Sequence, residues 1–377
     1  MRHTVLTAAW GLTAALLMAM APETAIGGDG SDPATCPGVI ATGPTSYQLT
    51  TDLGNCWIVR THGEAPIIVD LNSHTWSGSF LFLSSEGNRL SNGIFDGSTL
   101  WIAGSLDHVT VRNNTIDFAV ETYGPLTVTD CTFESNRVAL SAYYLGYATV
   151  QNSVFRDNAT GFVNGRGSGS LVESSDFENN RSGVFLWDED FAGSNDVVVR
   201  DNHFSGNGVA IGVRALYEVY RAQIVNNQVD ENDGAGISVD VYCNLLIPPF
   251  RPCGGQASVI AGNHVRRNGF AATSPGDGDG IRVRGYDLDS PVPYEPADPT
   301  GITISGNEAD RNADLGIDAS GVTDGGRNRA KFNGDPQQCV GVDCKVPGVK
   351  PAGKATNAGA AVDAERLMNL LAGLAHH

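Results

Sequence analysis

The sequence predicts an all-β fold: a right-handed parallel β-helix, a solenoid of about ten coils, with a short C-terminal helix beyond it. Three observations predict it. Ten times an apolar residue is followed by another five positions later, the second member being Trp76, Phe95, Ile116, Phe133, Phe155, Phe177, Phe204, Val229, Val265 or Ala309. In seven copies an asparagine stands three further on, at Asn136, Asn158, Asn180, Asn207, Asn232, Asn268 and Asn312. The interval is 22 residues from Phe133 to Phe155 and 22 again from Phe155 to Phe177, and a fixed period of this length marks a solenoid.

Taken in chain order, residues 1–27 read as a secretory signal peptide. Arg2 and His3 precede an apolar run from Val5 to Ala21, and Ala25-Ile26-Gly27 offers a cleavage site. No other stretch is apolar enough to span a membrane, so the chain is expected to be secreted or extracytoplasmic. Residues 28–66 form an N-terminal cap, with Cys36 and Cys56 expected to pair.

Residues 67–326 form the β-helix. Each repeat reads as two short strands. The first carries the apolar pair, as in Val199 and Phe204; the second follows a Gly-apolar-x-apolar pattern, as in Gly183-Val184-Phe185-Leu186 and Gly280-Ile281-Arg282-Val283. Such a coil buries its apolar face by stacking on its neighbours at about 4.8 Å. Asparagine at a recurrent turn tolerates left-handed geometry and lets side-chain amides bond in a ladder.

Insertions widen the later coils: anchor spacings grow to 27 from Phe177 to Phe204, 36 from Val229 to Val265 and 44 from Val265 to Ala309. The added residues become loops on the flank. One of them, Tyr286 to Pro299, holds four prolines and is expected to stay out of any sheet. Cys243 and Cys253 fall within another and are expected to pair. Residues 327–344 close the C-terminal end, with Cys339 and Cys344 paired. Residues 345–377 form a flexible tail, in which Val362, Leu367, Met368, Leu370, Leu371 and Leu374 outline an amphipathic helix. The seventh cysteine, Cys131, occupies a position held elsewhere by His74, Asn114, Asn202, Asn227, Asn263 and Asn307. It reads as a buried free thiol, and His74 as a core residue.

With its Val-x-Asn-x-x-Phe and Gly-Ile-x-Val repeats, the end segments Val69-Asp70-Leu71-Asn72-Ser73-His74-Thr75-Trp76 and Asp324-Gly325-Gly326-Arg327-Asn328, and Cys339…Cys344, the chain resembles the secreted bacterial right-handed β-helix repeat proteins of the pectate-lyase-like superfamily over residues 36–344. That resemblance implies action on polysaccharides by lyases, epimerases or glycosidases, together with members of no known activity. No catalytic motif of those enzymes stands in this sequence, so every residue role below rests on placement.

A net charge of −18 argues against nucleic acid as a partner. An extracellular polysaccharide is the expected partner, met by a monomer. Stacking of the second strands aligns Tyr143, Trp187, Arg214, Asp240 and Arg284 in one solvent-facing column, with Arg282 and Asp318 beside it. Asp188, Tyr242 and Tyr286 lie close by. Aromatic rings suit pyranose faces, and arginine with carboxylates suits uronates.

For proton abstraction, Arg214 or Arg284 would neutralise the sugar carboxylate, and Asp240 or Tyr242 would serve as base or acid. For glycosidic hydrolysis, Asp240 and Asp318 are the candidate pair. Tyr143, Trp187, Asp188, Arg282, Tyr286 and Asp318 are the expected binding residues. The same columns are also explained by an ion ladder that keeps stacked charges neutral, in a non-catalytic binding or structural solenoid. The acidic loops Asp277-Gly278-Asp279-Gly280 and Trp187-Asp188-Glu189-Asp190 make calcium a candidate cofactor, although neither matches a twelve-residue calcium loop. His203 and His264 recur at one outer position, two coils apart, too far for a shared metal.

Overall fold

The structure, a computed structural model, describes residues 32–345 except 55, 57, 61–63, 78–79, 144–145, 166, 189–195, 216–220, 244–253, 273–276 and 288–294. The expected signal peptide and amphipathic helix therefore lie outside the described residues, as does Cys253. The described chain is a right-handed parallel β-helix. The coils between Pro125 and Asp318 each run through three parallel strands rather than the two expected, whereas Phe80–Asp96 and Thr99–Arg112 each pass through the bends as one unbroken strand. One coil runs through Pro125–Thr129, Thr132–Glu134 and Val138–Tyr143; the next runs through Tyr147–Gln151, Val154–Arg156 and Thr160–Gly165. Each strand pairs in parallel with its counterpart one coil on, as in Val128↔Val150, Phe133↔Phe155 and Leu140↔Phe162. Three sheets result, here called first, second and third in the order the chain meets them.

The five-residue spacing explains the extra bend. In one continuous strand, residues an odd number apart face opposite sides, yet Val128 and Phe133 are both fully buried. A left-handed residue between them turns the chain: Asp130, Asn152, Ser174, Asp201 and Asn226 all have φ near +50° to +57°. Short polar side chains adopt that conformation at low cost. A second left-handed residue, at Ser135, Asp157, Asn179, Glu231, Arg267 and Arg311, opens the next bend.

Immediately after it comes the asparagine. The Asn158 carbonyl oxygen accepts from the Asn136 backbone N–H at 2.9 Å and from its side-chain amide at 3.1 Å, while the Asn158 amide donates to the Phe133 carbonyl at 3.0 Å. The pattern recurs through Asn180, Asn207, Asn232, Asn268, Asn312 and Asn333 and ends on Gln338. A second ladder, at the first bend, runs from Cys131 through Ser153 and Ser175 to Asn202, Asn227, Asn263, Asn307 and Asn328. Backbone donors that the bends remove from the sheets are thus satisfied inside the protein.

The core is a set of stacked columns. Phe133, Phe155, Phe177 and Phe204 lie ring on ring at 4.6, 4.6 and 4.8 Å. At Gly183, near the start of one third strand, this closeness requires glycine: a Cβ there would sit 2.5 Å from the Ala210 carbonyl oxygen and 2.9 Å from the Phe204 ring.

Several expectations are corrected. Ile116 is 81 % exposed; Val111 takes its place in the column, between Phe95 and Phe133. The sequence holds two overlapping copies of the spacing, Leu106–Val111 and Val111–Ile116, and only the first has an asparagine three residues on. Asn114 is therefore a rung of the Asn136 ladder and not a companion of Cys131. His74 is half-buried, with Nδ1 3.4 Å from the Asp52 carboxylate, and does not sit in the core. The proline-rich block does contribute a strand: Glu295–Ala297 pairs antiparallel with the end of Ile281–Asp287. That strand pairs along one side, so Pro296 is not asked for a second ladder bond.

Parallel pairing also reaches beyond residues 67–326, to Ser46–Leu49 at one end and Asn328–Lys331 at the other. Disulfides join Cys36 to Cys56 and Cys339 to Cys344, with Cα atoms 5.9 and 6.2 Å apart. Cys131 is a buried free thiol. Burial pushes it up to about 12, which keeps it protonated and unreactive.

Candidate functional site

The expected column exists as a register. In the third sheet the strands Ser182–Asp188, Val209–Ala215, Ile237–Cys243, Ile281–Asp287 and Ile317–Asp318 follow one another. Val184, Leu186, Ile211, Val213, Val239 and Val283 are buried, so the alternate residues project from the other face. Tyr143 pairs with Gly165, Gly165 with Trp187, Trp187 with Arg214, Arg214 with Asp240, and Asp240 with Arg284. In the neighbouring column Ser238 pairs with Arg282, and Arg282 with Asp318. Arg214 and Arg284 thus share one column, with Asp240 between them.

These residues do not face solvent as the alternation implied. Arg214 and Asp240 are each 6 % exposed, and Tyr242 is 5 % exposed. They are enclosed by one another. The Arg214 guanidinium lies 5.3 Å from the Tyr242 ring, which stacks on Tyr286 at 5.2 Å. Arg282 donates to Asp277 at 2.6 Å and to Ser238 at 2.9 Å, and lies 3.8 Å from Asp240. The Tyr286 hydroxyl donates to Asp240 at 3.5 Å. Opposite charges in consecutive layers make such burial tolerable. Arg284 and Asp318, 3.5 Å apart, are only half-buried, as are Trp187 and Tyr143. The Asp188 side chain lies outside the described residues.

Burial dominates the electrostatics here. It raises the Asp318 carboxyl against the pull of Arg284, and it raises the Tyr286 phenol. Asp279 is fully buried, and desolvation, with the Asp318 charge adding to it, pushes its carboxyl up to about 8. Its Oδ1 accepts from the Leu315 N–H at 3.0 Å, while Oδ2 meets no hydrogen-bond partner. Of the two candidate calcium loops, 187–190 runs outside the described residues from Glu189 on; in the other, Asp277 turns to Arg282 and Asp279 is a buried acid whose carboxyl burial raises. That donor set does not fit a calcium ion.

Two residues that sequence reasoning missed extend the neighbouring column, that of Ser238, Arg282 and Asp318, towards the N-terminus. Trp101 pairs with Glu121, and Glu121 with Ser141. Glu121 is buried and accepts from the Trp101 indole N–H at 2.6 Å and from the Tyr123 hydroxyl. Burial nonetheless holds its carboxyl up at about 7. Their coils lack the Gly-apolar-x-apolar signature; the alternation of Leu100 with Ile102 was the available signal. On the second sheet His203 and His264 stand either side of Gln228, each 3.5–3.6 Å from a carboxylate, of Asp176 and Glu308 respectively. Asp107, His108 and Asp130 bring their ligand atoms within 4.8 Å of one another, but Asp107 is already bonded to Arg89. Among the described residues no helix is long and apolar enough to cross a membrane.

No curated protein sequence matches the chain. Solved structures do, at the level of the fold. The periplasmic alginate epimerase AlgG is 14 % identical over 83 % of this chain and 78 % of its own, with a TM-score of 0.44. The mannuronan C-5 epimerase AlgE4 A-module of Azotobacter vinelandii is 14 % identical over 83 % and 88 %, also with a TM-score of 0.44. The catalytic unit of a GH87 α-1,3-glucanase from Streptomyces thermodiastaticus strain HF3-3 is 14 % identical over 83 % and 61 %, with a TM-score of 0.38. A model of the right-handed beta helix region matches residues 58–342, and with the coils, ladders and registers above this makes the chain a member of the right-handed β-helix family.

Proposed function

We propose that the protein is an extracytoplasmic, monomeric β-helix that takes an acidic polysaccharide along the outer face of its third sheet. The observation that carries this reading is the column itself: half-buried Tyr143 and Trp187 lead, layer by layer, into the half-buried pair Arg284 and Asp318. Rings of that kind stack on sugar faces, and an arginine beside a carboxylate recognises a uronate and its hydroxyls. Two disulfides support an oxidising compartment. In the catalytic form of the reading the substrate is a uronate polymer and the reaction is a lyase or C5-epimerase step: Arg284 or Arg214 neutralises the carboxylate, and Asp240 or Tyr242 moves the C5 proton.

One observation favours the non-catalytic form, a carbohydrate-binding or envelope solenoid. Arg214, Asp240 and Tyr242 are closed off by their own contacts, whereas the half-buried residues are those suited to holding a sugar. The test is a polysaccharide array of pectate, alginate, glycosaminoglycans and neutral glucans, with and without calcium, followed by ultraviolet absorbance of unsaturated uronates and NMR of C5 configuration. Retention on an acidic polymer that is lost with Trp187→Ala and Tyr143→Ala supports the reading. Turnover abolished by Arg284→Gln selects the catalytic form, and retention with unchanged polymer selects the binding form. Failure to retain any polymer defeats both.

A further inference from the structure

The last coils carry an aromatic pair that neither the core nor the third-sheet column uses. Phe270 and Phe332 are each 71 % exposed. They wall a groove of about 510 Å³ whose floor is Asn312, Ala313 and Gly334. Arg311 forms the rim, with its guanidinium 5.5 Å from the Phe332 ring. Asn268, Asn312 and Asn333 are consecutive rungs, so the groove crosses three layers at the corner that follows the second sheet. Two bare phenylalanines over a floor of small residues are the form of a surface that expects a partner.

The chain's own C-terminus is positioned to supply one. Lys345, the last described residue, pairs in parallel with Arg329. Phe332 lies three residues beyond Arg329, about 10 Å away along an extended chain. Another 32 residues follow, 346–377. Their first sixteen contain Val346-Pro347-Gly348 and Pro351-Ala352-Gly353, and a chain of that composition spans about 22 Å on average, more than the groove requires. Beyond them Leu367, Leu370, Leu371 and Leu374 recur at i, i+3, i+4 and i+7, and Asp363 and Glu365 precede them, opposite in charge to Arg311. A tether this short holds its segment at an effective concentration on the order of millimolar, at which a modest apolar contact suffices.

We propose that residues 360–375 dock within the same chain, as an amphipathic helix whose leucine stripe seats between Phe270 and Phe332. The groove is an intramolecular receptor for the tail and stands apart from the polysaccharide face.

The test uses the full mature chain with p-benzoylphenylalanine at position 332, where exposure makes folding insensitive to the change. Irradiation of dilute monomer followed by peptide mass spectrometry is expected to join position 332 to peptides from 360–375 of the same molecule. Leu370→Asp with Leu371→Asp should lower that yield about tenfold or more, since two leucine burials are removed. The photoreactive group placed instead at Ile116, which is 81 % exposed, should capture little of the tail. Equal capture at 116 and 332, no capture at 332, capture only between two molecules, or a yield indifferent to the aspartates would each overturn the proposal.

Discussion

Asp279→Asn should stabilise the protein at neutral pH and leave it unchanged in acid. The folded carboxyl releases its proton at about 8, whereas the unfolded chain releases it near 3.8. Below 3.8 both states are protonated and the residue is neutral in its effect. Above it, the unfolded state ionises freely and the folded state does not, so stability falls by about 1.4 kcal/mol for each pH unit until the folded group also ionises. At pH 7 the accumulated loss is about 4 kcal/mol, a large share of the ~5–15 kcal/mol that holds a typical domain folded.

Asparagine copies the protonated acid in shape, keeps an acceptor for the Leu315 N–H, and places its amide where Oδ2 has no partner. The assay is urea denaturation of wild type and variant between pH 4 and pH 8, followed by far-ultraviolet circular dichroism. The midpoints should coincide at the acid end and separate steadily as pH rises, the variant being the more stable. Parallel curves, or a variant less stable at pH 7 than at pH 4 relative to wild type, would refute the assignment of Asp279 as a buried neutral acid.

Glu121→Gln should act in the same direction over a narrower window, because the folded carboxyl titrates at about 7 against 4.5. In wild type, indole fluorescence from Trp101 should follow that titration with a midpoint near 7, and the glutamine variant should abolish it. Asn207→Ala removes bonds to the Phe177 carbonyl at 2.9 Å, to Asn232 at 2.9 Å and from the Asn180 N–H at 2.9 Å; leaving two buried backbone groups unpaired should cost about 2–4 kcal/mol, read as a lower denaturant midpoint. Cys131 should resist a thiol-specific disulfide reagent at pH 8 in the folded protein and react at once in denaturant, as its buried position requires.

The solenoid was legible because its physics is periodic: a coil that cannot bury its own apolar residues repeats them, and the repeat appears in the sequence. The triangular section was not, because the left-handed bend positions are filled by aspartate, asparagine, serine, glutamate, arginine and glycine in turn, so that no single residue type marks them. The misplacement of Ile116 has the same root, since spacing alone cannot choose between two overlapping pairs. In the candidate site, the neighbours of Arg214, Asp240 and Arg284 could be written down from register before any coordinates. Their burial could not, because it depends on which charges and rings close over each other. Asp279 shows the limit most clearly: an aspartate between glycines reads as an exposed cation ligand, and only three-dimensional packing makes it an acid that stays protonated.

The rungs have a consequence for how such a chain diversifies. Asn158 and Asn180 are 22 residues apart and bond at 2.9 Å; Asn232 and Asn268 are 36 apart and bond at 2.8 Å. The contact is indifferent to the length of the detour between its partners. Each storey can therefore lengthen its balcony without disturbing the staircase, and chain added between two rungs should be carried by a frame that does not register its arrival.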